Sequence, residues 1–125
     1  MPLRLERINW MPSPPLVPDD GPIDFEHLSR MTLGDSALER EVLTMFAAQS
    51  ATLYDHLAKL PPETGALAHT LKGSARAIGA FAVADAAGRL EAALGEAGDA
   101  RTALKELRNA VAEAQGAIEA FFGRG

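Results

Sequence analysis

Eight prolines divide the chain, and their placement limits the fold more than any other feature. Pro2, Pro12, Pro14, Pro15, Pro18 and Pro22 crowd the first 22 residues, Pro61 and Pro62 interrupt the middle, and no other proline occurs. Proline lacks an amide N–H and its ring clashes with the preceding turn, so uninterrupted helix can run only over 23–60 and 63–125. Residues 1–22 read as an extended arm. Valine and isoleucine number four each in 125 residues, whereas alanine dominates from position 37 onward, a composition that favours helix over strand. With 47% hydrophobic residues the chain can bury one modest core.

Helix signals fill both proline-free stretches. Asp24 can cap a short helix through Met31, and Asp35 or Ser36 a longer one. Along the latter, Leu38, Val42, Met45, Phe46, Gln49, Leu53, Leu57 and Leu60 recur at three- and four-residue steps, which predicts one apolar face. Thr64 can cap a helix to Ile78, Gly79 marks a turn, a further helix runs from Ala80 to Ala97, and Gly98-Asp99 closes it. The last helix, over 100–122, sets Leu104, Leu107, Val111, Ala114, Ile118 and Phe121 on one side. The expected fold is all-α: an antiparallel four-helix bundle with a short additional N-terminal helix, spanning 23–125.

Several function classes fall away. No cysteine is present, which removes disulfide scaffolds, thiol nucleophiles and thiolate metal sites. A formal net charge of -5 offers no basic footprint for nucleic acid. No apolar run is long enough to span a bilayer and the first twenty residues lack a signal-peptide core, so the expected location is the cytoplasm. Neither GxGxxG nor GxxxxGK[ST] occurs, hence no nucleotide cofactor is expected. His27 with Asp24, or His56 with Asp55, falls short of a metal ligand set.

The segment His69 to Ala80, HTLKGSARAIGA, carries the chemistry. At about 100° per residue, and with His69 at zero, Leu67, Leu71, Ser74 and Ile78 fall within about 40° of the opposite direction. Lys72, Arg76, Gly65, Gly73, Ala66 and Ala80 fall within about 60° of His69 itself. One face thus holds a histidine, two cations and otherwise very small side chains. A solvated helix face normally collects long polar residues, and an exposed mid-helix glycine costs about 1 kcal/mol relative to alanine. Gly73 therefore either packs closely on a neighbouring helix or clears an approach to His69. An imidazole, with a reference pKa of about 6.5, is a competent nucleophile at neutral pH, and Lys72 and Arg76 suit a phosphoryl group placed on it.

In these residues the segment resembles the phosphoacceptor signature of histidine-containing phosphotransfer domains, a histidine followed at +3 by lysine, at +4 by glycine and often at +5 by a small residue. His69, Lys72, Gly73 and Ser74 match in turn. The resemblance implies a helical bundle over 23–122 whose histidine shuttles a phosphoryl group between receiver-domain aspartates in a multistep two-component phosphorelay. It makes His69 the phosphoacceptor, Lys72 and Arg76 the phosphate-side cations, and Gly73 the clearance position. The implied partners are response-regulator receiver domains, including that of a hybrid histidine kinase. A monomer with no ATP site and no turnover of its own is expected. The alternative is a helical interaction module that docks on a receiver or kinase without accepting phosphate.

If the helices turn near Ala80, residues whose numbers sum to about 160 face each other, which sets Glu91 level with His69. There it either fixes the imidazole tautomer or pairs with Arg89. Gly65, Ala66, Gly73 and Ala80 are expected to form a flat receiver-docking floor. In the arm, Leu3, Leu5, Ile8 and Trp10 alternate with polar residues.

Overall fold

A computed structural model describes residues 21–95 and 99–123, so the expected arm lies almost wholly outside the described residues. Five helices follow in order: α1 (Phe25–Met31), α2 (Ser36–Leu57), α3 (Thr64–Ile78), α4 (Phe81–Gly95) and α5 (Ala100–Gly123). The fold is the expected four-helix bundle with a short leading helix. Contacts join α2 to α3, α3 to α4, α4 to α5 and α5 to α2, which makes a closed square of helices, and α1 lies against α2 and α3.

The helix boundaries have local causes. The Asp24 carboxylate accepts a hydrogen bond from the His27 amide, and Asp35 accepts one from the Leu38 amide, so each satisfies a free donor of a first turn. Two boundary expectations need correction. Asp99 does not close α4 but opens α5, because its carboxylate accepts from the amides of Arg101 and Thr102. Thr64 is the first residue of α3 rather than its cap; it is buried, and its hydroxyl donates to the Pro61 carbonyl.

α3 ends at Gly79, whose φ of 91° lies in the left-handed region that glycine tolerates without penalty. The Ala80 amide reaches back to the Ala75 carbonyl, and the Gly79 carbonyl accepts from the Asp24 amide, which ties α1 to the α3–α4 turn. His27 reinforces this junction, its Nε2 3.2 Å from the Ala77 carbonyl and its ring edge-on to Phe81.

The core is built from Leu43, Phe46 and Leu57 of α2, Leu71 with Ala68 and Ala75 of α3, Val83, Ala87 and Leu90 of α4, and the anticipated Leu104, Leu107, Val111, Ala114 and Ile118 of α5. Phe121 stands half-buried at the margin, stacked on Phe25 at 5.2 Å between ring centres. The apolar face expected on α2 is turned from the real one by about 70°. Leu43 is fully buried, whereas Leu38, Met45 and Leu60 are exposed. The reason is Ser50, a buried polar residue in the middle of the true face. Its oxygen accepts from Gln115 of α5 at 3.0 Å, and the same amide donates to the Ala47 carbonyl at 2.7 Å, so the site is polar yet satisfied.

Candidate functional site

α3 is likewise rotated from the sequence expectation, and this rotation builds the site. Its buried residues are Thr64, Ala68, Leu71 and Ala75, while Leu67, Ser74 and Ile78 are only half-buried. The core direction is thus about 60° from the one expected, and His69 and Lys72 are carried toward the seam with α4 instead of pointing away from the bundle. His69 keeps a side chain 70% exposed, whereas that of Lys72 is 23% exposed.

Glu91 of α4 meets both. Its Oε2 lies 3.2 Å from His69 Nδ1, and its Oε1 lies 2.7 Å from Lys72 Nζ. The contact between Lys72 Nζ and the buried Oε1 is an ion pair. Lys72, first, and then His69 hold the Glu91 carboxyl below its ordinary range against the opposing effect of desolvation. Glu91 is therefore an anion at neutral pH and can only accept, which puts the proton on Nδ1 and leaves Nε2 of a neutral ring with its lone pair. Arg89, the competing partner for Glu91, instead pairs with Glu106 at 3.0 Å.

The small residues divide. Among the described residues a Cβ placed on Gly73 would meet nothing within 4 Å, so this exposed glycine does not serve packing between the five helices. Ala66 is exposed beside it, and Gly65 is half-buried at the seam, where an added Cβ would lie 3.9 Å from Leu94 Cδ1. Ala80 contradicts its expected place in the floor: it is fully buried. The left-handed turn at Gly79 ends the helical phase on which that expectation relied. Arg76 is exposed and joins no ion pair among the described residues.

Sequence reasoning gave Gly88 no part in the site, yet a Cβ there would lie 3.5 Å from Lys72 Cδ. The bare backbone of α4 is the bed of the lysine stem. The same hairpin arithmetic that paired His69 with Glu91 also pairs Lys72 with Gly88, so the signal was available.

A bundle of this topology with an exposed, carboxylate-bound histidine on one edge defines a class, and the comparisons with known proteins agree on it. The family model described as Hpt domain matches residues 41–117. The crystal structure of the histidine phosphotransferase ShpA from Caulobacter crescentus is similar, with a TM-score of 0.69 and 33% sequence identity over 83% of this chain and 93% of that one. No curated protein matches. The chain belongs to the Hpt domain family, whose members carry phosphoryl groups rather than generate them at an ATP site.

Proposed function

We propose that His69 receives a phosphoryl group from the aspartyl phosphate of one receiver domain and passes it to the aspartate of another in a two-component phosphorelay. In the first half-reaction the Nε2 lone pair attacks phosphorus, the N–P bond forms, the P–O bond to the receiver aspartate breaks, and that aspartate leaves as a carboxylate. The proton stays on Nδ1, and the positive charge that the ring acquires faces the Glu91 anion 3.2 Å away. The reverse sequence of bonds delivers the group to the next receiver. Lys72 stands ready on the same carboxylate, and the negative phosphoryl oxygens draw it and Arg76 toward them.

One observation carries the reading: a histidine 70% exposed, with one nitrogen engaged by an anion and the other without a partner among the described residues, beside a glycine that packs against none of them. A receiver must bring its phosphorus to about 3–3.5 Å from Nε2, and Gly73, Ala66 and Gly65 keep that approach low. The carrier works as a monomer in the cytoplasm on this reading, with the receiver of a hybrid histidine kinase among its partners. No described helix is long and apolar enough to cross a membrane.

The test is incubation with a panel of phosphorylated receiver domains and detection of acid-labile label on the chain. The wild type is expected to take the label and His69→Gln to lose it. Label on His69→Gln, mapped to His27 or His56, contradicts the assignment.

A further inference from the structure

The edge of the square diagonally opposite the His69 seam is the α2–α5 edge, and it carries a second cluster of charge. Arg101, Lys105 and Arg108 project from α5 at steps of four and three residues, hence from one face, and with Tyr54 of α2 and Leu104 they line a shallow groove of about 230 Å³. All three cations are exposed, and none joins an ion pair among the described residues. Asp99 at the N-cap answers the first-turn amides and lies near Arg101, but no acidic residue within the first turn of α5 adds to it. In a chain of net charge -5, three cations along one stripe, none in an ion pair among the described residues, make a local positive surface complementary to an acidic partner.

We infer that the Tyr54–Arg101–Lys105–Arg108 groove docks a carboxylate-rich segment of a partner protein, independently of phosphotransfer at His69. The spacing selects the shape of the occupant. The stripe runs about 10 Å along α5, too long for one phosphate to touch all three cations. Carboxylates on alternate residues of an extended segment stand about 6.6–6.8 Å apart and match it. Tyr54, half-buried, supplies an amphipathic surface for the segment's backbone, over a floor that reaches the buried Leu104. Anionic bilayers and nucleic acid present far larger fields, which the overall negative charge of the chain repels. Because the two edges lie across the bundle from one another, a partner held here leaves His69 open to a receiver.

The probe is a short fluorescein-labelled peptide with glutamate at alternate positions, titrated with the whole chain and read by fluorescence anisotropy. Binding is expected to weaken as salt rises, and by about tenfold or more in the R101Q/K105Q/R108Q variant, whose helical circular dichroism and receiver-dependent labelling of His69 stay at wild-type levels. Amide shifts of the wild type on peptide addition are expected around Tyr54 and 101–108, a readout that holds even if the triple variant folds poorly. Equal binding of the glutamine version of the peptide overturns the inference. So do shifts centred on His69, or tighter binding to phosphatidylserine vesicles than to the peptide.

Discussion

The stem of Lys72 lies across the backbone of Gly88, its Cδ 3.5 Å from where a Cβ would stand. From there the ammonium reaches Glu91, its Nζ 2.7 Å from Oε1. An alanine at this distance makes only ordinary van der Waals contact, so Gly88→Ala is expected to transfer phosphate normally and to gain up to about 1 kcal/mol of helix stability. A leucine must displace the stem. Gly88→Leu is expected to slow labelling from a phosphorylated receiver while receiver affinity changes little, and single-turnover kinetics separate the two. Equal rates for both variants would show that the course of the lysine stem is immaterial.

Glu91 makes the site sensitive to acid in a definite direction. Its carboxyl is lowered in the folded protein by Lys72 and His69, so it adds stability that is present above the unfolded value of about 4.3. That contribution is lost as pH falls through the lower, folded value, when the proton neutralises the anion and frees both partners. Nuclear magnetic resonance titration is expected to show Glu91 Cδ shifting below the ordinary glutamate range in the wild type. In Lys72→Met the midpoint is expected to move up.

Glu91→Ala removes the acceptor for Nδ1–H, so the ring nitrogens of neutral His69 are expected to report a mixture of tautomers where the wild type reports one. Transfer is expected to slow by about tenfold, the worth of one hydrogen bond to a charged group at about 1.5 kcal/mol. An unchanged nitrogen spectrum in Glu91→Ala would dissolve the link between the carboxylate and the free Nε2.

At Gly73 the two readings of an exposed helical glycine separate cleanly. Since an added side chain meets no neighbour, Gly73→Gln is expected to fold and to melt no lower than the wild type. Its long side chain stands beside His69, where a receiver must approach, and labelling is expected to fall sharply. Wild-type labelling of this variant would remove clearance as the reason for the glycine.

Sequence reasoning located the helices and the His69–Glu91 pairing because both follow from spacing alone: proline breaks, aspartate caps and the register of a hairpin. It misplaced faces where polarity and burial part company. Ser50 is buried because Gln115, 65 residues on, satisfies it, and no pattern local to α2 reveals that partner. Ala80 was lost for a different reason, since angular bookkeeping holds only while the helix continues and Gly79 ends it. The seam position of Lys72 follows from the rotation of α3, which buries the small alanines at 68 and 75 in the core and leaves Leu67 and Ile78 half-buried, a packing choice that hydrophobicity does not encode.

Gly79 offers the sharpest test of the turn that brings α3 and α4 face to face. Its φ of 91° is strained for any residue with a Cβ, at a cost of about 1–2 kcal/mol. An alanine Cβ would also stand 2.8 Å from the Asp24 carbonyl oxygen, a backbone atom that can retreat only by moving α1. Both effects act together in Gly79→Ala, so a loss of about 2–3 kcal/mol in urea unfolding is expected, with faster hydrogen exchange at the Asp24 amide, whose bond to the Gly79 carbonyl must stretch. Gly79→Asn relieves the first effect in part, because asparagine visits the left-handed region, but keeps the second. It is expected to fall between wild type and alanine. Should alanine and asparagine unfold at the same denaturant concentration as glycine, neither the left-handed turn nor the α1 contact sets the stability of this junction.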